Sequence, residues 1–221
     1  MKRLRQYIRK MLLTEAMNNA QDLPDDIGIS IRLSGANYYI INYYSGDKLL
    51  NSQSSGPIYG EVHVGEMYPY EPAYDYSPGD GKNLPEDTTN LTCDGAYQIY
   101  TTDAADGWGP LLYDVAIELA SLKGTGLVSD RSSVSPEALD VWYFYMYDRS
   151  DVEKFQCDDH LNTLTPTLAD NVDMNIPGRQ DRIYDPNDLV NDPLSKRYAK
   201  APTTIKMLKS LGKLRTLGFE L

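Results

Sequence analysis

The sequence has few of the residues that build covalent or metal-held frameworks. Among its 221 residues are two cysteines and two histidines. Cys93 and Cys157 allow at most one optional bridge, so we treat both as thiols. A structural zinc site needs about four ligands, and the stretch from Cys157 to His160 has no second pair to complete one. We therefore expect no metal site.

Long apolar runs are missing as well. No run approaches the roughly 18 apolar residues that a membrane span requires. The basic start MKRLRQYIRKMLL has an apolar stretch too short for a signal peptide. We therefore expect no membrane span and take a cytoplasm as the default compartment. Two histidines without a Gly-x-Ser-x-Gly turn also give no scaffold for a nucleophile triad.

The net charge of −11 is unevenly distributed. Residues 1–10 carry +5 and residues 196–221 carry +6, which leaves −22 for the middle of the chain. Such an acidic body repels nucleic acid, so we do not expect nucleic acid to bind to the middle of the chain. The two basic ends would be attracted to an acidic surface, either on the body, on a second copy or on a partner.

The order of elements predicts one α/β domain with two extensions. Residues 1–26 form a basic amphipathic helix, over 2 to about 18, and a linker. Four strands follow. The first two are joined near Ser34 and Gly35, the third lies in GPIYGEVHVGEM and the fourth in AYQIYTT. His63 alternates with valines on the third strand, and we expect it to face solvent or pair with a neighbour.

A glycine turn and a helix come after the fourth strand. Gly107 and Gly109 permit a sharp turn, and Pro110 suits the first helical position. The stretch GLVSD then predicts a fifth strand, and Ser135 predicts the N-cap of a second helix. These elements complete a domain over 27–155. Residues 156–221 are predicted as a polar extension that ends in a basic helix, capped by Thr203 or Thr204 and stopped at Gly212.

Eighteen tyrosines are concentrated in a few stretches. Those from Tyr38 to Tyr44 are predicted to line the sheet, because tyrosine is a good strand residue. Residues 68–95 are rich in Pro, Gly and Asp and have no period, which indicates a long loop. Four tyrosines within 68–76 fall in this predicted loop, so neither a strand nor a helix accounts for them. We interpret them as a contact surface.

An antiparallel start followed by strand, glycine turn, helix, strand and helix resembles the GCN5-related N-acetyltransferase (GNAT) fold over about residues 27–155. The resemblance implies a mixed sheet and acetyl-CoA as cofactor. In that family the backbone amides of the glycine turn hold the pyrophosphate at a helix N-terminus. The matching cofactor-binding residues here are Gly107, Trp108 and Gly109.

This chain departs from the family pattern around the same turn. Ala104 replaces a polar or cationic residue, Asp106 adds a negative charge, and Pro110 lacks an amide. In the second helix, Trp142 stands where the family often has a tyrosine acting as general acid. The remaining candidates for that acid are Tyr143 and Tyr145.

Four blocks across nearly the whole chain are similar to a family of tailed-phage proteins of unassigned function. They are MKRLRQYIRKMLLTEA, DGWGPLLYDVAIELA, SDRSSVSPEALDVWYFYMYDRSDV and DPLSKRYAKAPTTIKMLKSLGKL. This similarity implies a phage origin, with the product in the host cytoplasm or in the virion.

Two hypotheses follow from the sequence. The first is a phage assembly or virion-associated protein with a catalytically eroded GNAT-like domain and no cofactor, which binds a protein partner or itself through residues 1–18, 68–76 and 196–221. The second is an acyl-CoA-dependent N-acyltransferase acting on a cationic amine. A V-shaped opening between the fourth and fifth strands would favour the enzyme, whereas a Trp108 or Trp142 ring filling it would favour the first hypothesis.

Overall fold

A computed structural model describes residues 17–67, 93, 95–158 and 186–221. This part of the chain is a mixed α/β structure with one nine-stranded sheet and three α-helices. The strands are β1 (Ile27–Gly35), β2 (Tyr38–Ser45), β3 (Lys48–Leu50), β4 (Gly60–Glu66), β5 (Tyr97–Ala104), β6 (Leu127–Val128), β7 (Glu153–Gln156), β8 (Lys196–Ala199) and β9 (Leu214–Leu217). The helices are α1 (Gly109–Lys123), α2 (Pro136–Tyr147) and α3 (Thr203–Ser210), with 3-10 turns at Pro186–Asn191 and Pro193–Ser195.

The sheet mixes antiparallel and parallel pairs. Its order is β7-β8-β6-β5-β4-β2-β1-β9, and β3 adds to β2. The run β1, β2, β4 and β5 is antiparallel throughout. β5 and β6 are parallel, as are β1 and β9. The antiparallel start that the sequence predicts is therefore confirmed, and the short strand β3 is an addition to it.

The core lies on the face of the sheet that α1 covers. Alternate residues of β1, β2 and β4 are fully buried there, in register across the three strands, as period-two sequences require. They are Ile29, Ile31, Ile41, Tyr43, Val62 and Val64. α1 packs directly on this face, since a Cβ added at Gly60 would lie 2.8 Å from the Leu112 side chain.

The two helices of the domain start as their sequences predict. Pro110 occupies the first turn of α1, and Pro136 that of α2. The Ser135 hydroxyl accepts a hydrogen bond from the Ala138 amide at 3.2 Å, which confirms the predicted N-cap. Gly124 ends α1, and its amide donates to the Ala120 carbonyl. These starts fix the direction in which each helix crosses the sheet.

The predicted polar extension supplies part of this same sheet. β8 lies between β6 and β7, and β9 joins β1 at the opposite edge. The terminal helix is present as α3, but its N-cap differs from our prediction. The Glu118 carboxylate of α1 accepts the amides of Thr204 and Ile205, each at 2.7 Å. Gly212 follows the helix with φ +68°, as a helix stop requires.

The expectation of two free thiols is wrong. Cys93 and Cys157 form a disulfide, and their Cα atoms are 5.6 Å apart. The sequence could not reveal this pairing, because 64 positions separate the two cysteines. Folding brings the start of β5 close to the end of β7, which makes the bridge geometrically accessible.

Several predictions concern residues outside the described ranges. The N-terminal amphipathic helix has only Met17 and Asn18 within them, and the long loop only residue 93 and residue 95. The tyrosine-rich contact surface at 68–76 and His160 also lie outside. Within the described part, no helix has both the length and the apolar character needed to cross a membrane.

Candidate functional site

The predicted cofactor turn is a closed backbone turn at the start of α1. The Trp108 amide donates to the Ala105 carbonyl at 3.0 Å, and the Gly107 carbonyl accepts from the Asn18 amide at 3.1 Å. Gly107 has φ +79°, a conformation that favours glycine over residues with a Cβ. The Trp108 amide is therefore already used within the turn, and Gly107 is explained by the turn itself.

Trp108 attaches this turn to the sheet. Its ring is buried and meets the Tyr43 ring edge-on, with centroids 5.8 Å apart. The Tyr43 hydroxyl donates to the Trp108 carbonyl at 2.7 Å. Gly109 has more room, because a Cβ there would lie 3.7 Å from the Ala104 Cβ. The Asp106 side chain is exposed beside them.

β5 and β6 separate soon after they pair. Only Tyr97 with Leu127 and Gln98 with Val128 are in register, whereas β5 continues to Ala104. Residues 99–104 therefore extend past β6, and the described residues place no strand beside them on that side. This is the place where the sequence comparison with the GNAT fold implies an opening.

A buried aromatic cluster lies beyond that last strand pair. Tyr113 of α1 lies beside Thr102 of β5 and meets the Trp142 ring at 5.5 Å. Trp142 in turn meets Tyr198 of β8 at 5.0 Å, and Tyr198 is the cross-strand partner of Leu127. The rings thus form a continuous row from the neighbourhood of Thr102 in β5 to Tyr198 in β8, which lies opposite Leu127 of β6. Burial raises the pKa of Tyr113 to about 12.

The two candidate acids occupy different environments. Tyr145 is fully buried, and its hydroxyl donates to Asp114 Oδ1 at 2.8 Å or to the Pro110 carbonyl at 3.1 Å. Burial, with the nearby Asp114 charge, holds the pKa of Tyr145 well above its usual value. Tyr143 is half-buried, and its ring stacks on that of Tyr147 at 6.1 Å. The Tyr145 hydroxyl therefore lies at the first turn of α1, next to Gly109, whereas the Tyr143 ring lies against Tyr147.

Asp114 belongs to a charged network that the sequence did not predict. Arg149 makes two hydrogen bonds to Asp114, at 2.9 and 3.1 Å, and two to Asp151, at 2.7 and 2.8 Å. Burial alone would lower the pKa of Arg149, but these bonds raise it. The pKa of Asp151 is lowered, mainly by its bond to Arg149. Arg149 therefore stays charged and joins the end of α2 to α1.

A second part of this network is almost completely buried. Lys200 donates to Glu118, and its side chain and that of Glu118 are 2% and 0% exposed. The hydroxyls of Thr203 and Thr204 also accept from Lys200, at 3.1 and 2.9 Å. Glu118 is positioned by α1 and Lys200 by the turn after β8. All of these polar groups are satisfied internally, which indicates a structural role.

A cavity of about 390 Å³ opens beside this network. It lies between residues 17–21 and the three helices, and its apolar walls include Leu111, Phe144 and Met207. Its polar wall includes Asp114 and Arg149, which are bonded to each other. Gly107, Trp108 and Gly109, all of them described, are not part of its lining. Pro110 and Asn18 do line it, so the cavity adjoins the predicted cofactor turn.

His63 lies on the sheet face opposite the core. Its Nδ1 is 3.0 Å from the Tyr38 hydroxyl, and its Nε2 is 3.7 Å from Glu61 Oε2. Glu61 also accepts from the Asn42 amide group at 3.0 Å. The prediction that His63 pairs with a neighbour is confirmed. Among the described residues, no three metal-binding side chains come close enough to hold an ion.

Comparison with known proteins adds no family assignment. No family model, curated protein or solved structure matches this chain. Inferences about its function therefore depend on the geometry described above.

Proposed function

We propose that this protein is a phage assembly or virion-associated protein that uses a catalytically eroded GNAT-like sheet as a rigid body. The order of elements supports the GNAT-like part of this proposal. Antiparallel β1, β2 and β4 precede β5, a glycine turn, α1, β6 and α2. The parallel pair β5 and β6 then separates after two residue pairs.

The observation that carries the proposal is the aromatic row across that separation. An acyl-CoA would need the space between the diverging strands, next to the start of α1. Tyr113, Trp142 and Tyr198 occupy the core side of this region, and each is at most 2% exposed. A packed protein interior leaves no room for a ligand without displacing such rings. The row supports a scaffold over a transferase.

The electrostatics of the turn support the same choice. Phosphate binding at a helix N-terminus depends on free backbone amides that point at the anion. Pro110 has no amide, and the Trp108 amide is bonded to Ala105. Asp106 adds a negative charge beside the same helix start, which disfavours a second anion. This turn therefore offers few hydrogen-bond donors to the phosphates of acetyl-CoA.

The positions of the two candidate acids, Tyr143 and Tyr145, also argue against catalysis. A general acid must reach the reacting atom within about 3 Å, or through one water. Tyr145 is enclosed and directed at Asp114, while Tyr143 stacks on Tyr147. The Tyr145 proton is therefore held by Asp114 or by the Pro110 carbonyl within α1.

The proposed contact surfaces are the regions 1–18, 68–76 and 196–221, and the structure describes the last of them. Met207 on α3 and Leu211 just after it are 38% and 45% exposed, and the side chains of Lys206 and Lys209 are exposed beside them. Apolar side chains bordered by lysines suit an interface with an acidic protein surface. This surface could bind a partner or a second copy of the chain.

Calorimetric titration with acetyl-CoA and with CoA tests the loss of catalysis. We expect no heat of binding at millimolar ligand. A matched Gly109→Trp variant places a large ring at the start of α1, where the structure has room for a Cβ. Micromolar binding that this variant abolishes would contradict the loss of the cofactor site and favour the N-acyltransferase alternative.

Peptide mass spectrometry of purified phage particles and assembly intermediates tests the proposed role itself. The particles should come from a phage whose genome encodes this sequence. We expect peptides of the chain in particles or intermediates, at a constant ratio to a known structural protein. Recovery only in the soluble fraction of the infected cell would contradict an assembly role.

A further inference from the structure

We propose that Cys93 and Cys157 form a reversible redox latch, which is separate from the proposed function. When oxidised, the latch holds the chain just before β5 to the end of β7. These two strands are not neighbours, because β6 and β8 lie between them. The bond therefore adds a connection that the hydrogen-bonded sheet does not supply.

The two sulfurs belong to a small apolar cluster of their own. Met67, Ala96 and Val128 complete it, and each of its five members is at most 8% exposed. The cluster is distinct from the main hydrophobic core. A small cluster at the periphery can open locally while the main core remains folded. Reduction and re-oxidation therefore do not require global unfolding.

The backbone keeps the two cysteines close without help from the bond. The Cys157 amide donates to the Ser195 carbonyl at 2.9 Å, and the Cys93 carbonyl accepts from the Ala96 amide at 3.1 Å. With Cα atoms 5.6 Å apart, both thiols remain within bonding geometry after reduction. The pair is therefore arranged to re-form the same disulfide.

The latch also holds Cys93 within the cluster that includes Met67. Met67 and Cys93 are the described residues on either side of 68–92, and both belong to the cluster. The Met67 amide donates to the Ala96 carbonyl at 2.8 Å. Breaking the bond frees Cys93 from Cys157, so that only hydrogen bonds and apolar contacts hold this part of the cluster together. We expect Met67 and Ala96 to open more often in the reduced protein.

Glutathione disulfide is the oxidant class that balances the reaction. One cysteine thiolate attacks glutathione disulfide and releases one glutathione, which leaves a mixed disulfide on the protein. The second cysteine thiolate attacks the protein sulfur of that intermediate and releases a second glutathione. Two protein thiols are oxidised, one glutathione disulfide is reduced, and the two protons pass to the released thiolates.

The test equilibrates the native protein in glutathione buffers from oxidising to reducing, then alkylates free thiols and counts them by mass. We expect a change from no free thiol to two, with native circular dichroism at both ends. Thiols that stay free in every buffer would overturn the proposal. A bond that excess glutathione breaks only after denaturation would also overturn it, because the disulfide would then be a permanent crosslink.

Amide exchange at Met67 measures the effect on the structure. We expect exchange about tenfold slower in the oxidised protein than in the reduced one. The single variants Cys93→Ser and Cys157→Ser should both match the reduced protein in every buffer. Equal exchange in the two states of the native protein would contradict a latch even if the bond forms. The mass and exchange measurements on the unmodified chain suffice should either variant fold poorly.

Discussion

Glu118 is the side chain on which the helical layer depends most. It accepts two α3 amides and pairs with Lys200, and the structure leaves it no exposure to water. Removing one partner of a buried pair leaves the other charge without compensation. We expect Glu118→Gln to lower the free energy of unfolding by about 3 kcal/mol, measured by chemical denaturation.

Two further variants separate the charge from the packing. Glu137→Gln changes an exposed carboxylate in the first turn of α2 and should cost less than about 1 kcal/mol. Glu118→Gln combined with Lys200→Met removes both buried charges and should recover part of the lost stability. Equal costs for Glu118→Gln and Glu137→Gln would show that the buried pair has no special importance.

Single residues also show where sequence patterns stop being informative. Ser135 was predictable as an N-cap, because capping depends on residues three positions apart. Glu118 was not, because its partners lie more than 80 positions away along the chain. Lys196 and Arg197 look like surface residues, yet they are only 8% and 9% exposed. Their head groups bond to Gln156 and to the Thr125 carbonyl, which sequence alone does not show.

Among the elements, the turn before α1 offers a matched pair of glycines. Gly107 has φ +79°, whereas Gly109 has neither a positive φ nor a close contact at the Cβ position. We expect Gly107→Ala to cost about 1–2 kcal/mol of stability, because a Cβ is strained in the left-handed region. Gly109→Ala should stay within about 1 kcal/mol of the unchanged protein.

Thermal or denaturant unfolding of the two glycine variants checks this prediction. The difference matters for function, since a phosphate cradle would need both glycines for close approach of a ligand, whereas a plain turn needs only Gly107. If Gly109→Ala were as destabilising as Gly107→Ala, our account of the turn would be wrong.

The longer elements and the two-residue strand β6 follow from sequence, whereas the other short strands do not. β1, β2, β4, β5, α1 and α2 carry strong periodicity or clear start signals, and all are present. β7, β8 and β9 have four residues each, too few to establish a period. Their position depends on pairing with distant strands, which local patterns do not encode. Strands β8 and β9 therefore could not be predicted from the polar sequence after residue 155.

At the scale of the whole molecule, the C-terminal residues 196–221 contribute strands near both edges of the sheet. β8 is inserted beside β6, and β9 pairs with β1 in parallel. The Lys123 amine at the end of α1 donates to the Glu220 carbonyl at 3.1 Å and lies over the Phe219 ring. Part of the basic charge of this region is thus buried in the fold, at Lys196, Arg197 and Lys200, whereas Lys206 and Lys209 on α3 are exposed.

Four core tyrosines make the stability of the molecule sensitive to alkaline pH. Tyr43, Tyr113, Tyr145 and Tyr198 are each at most 2% exposed. Burial raises the pKa of Tyr113 to about 12 and those of the other three well above 10. Between pH 10 and the raised values, the unfolded chain loses these protons while the native state keeps them. Stability is therefore fully present below pH 10 and is lost above it.

We expect the free energy of unfolding to fall above pH 10 by about 1.4 kcal/mol per pH unit for each tyrosine with a raised pKa. Denaturant unfolding at a series of pH values, with tyrosinate absorbance recorded in parallel, measures this slope. Tyr113→Phe should reduce the slope by about one such group. Full ionisation of all tyrosines in the native protein near pH 10 would contradict the burial of this aromatic row, and with it the main structural argument against an acyl-CoA site.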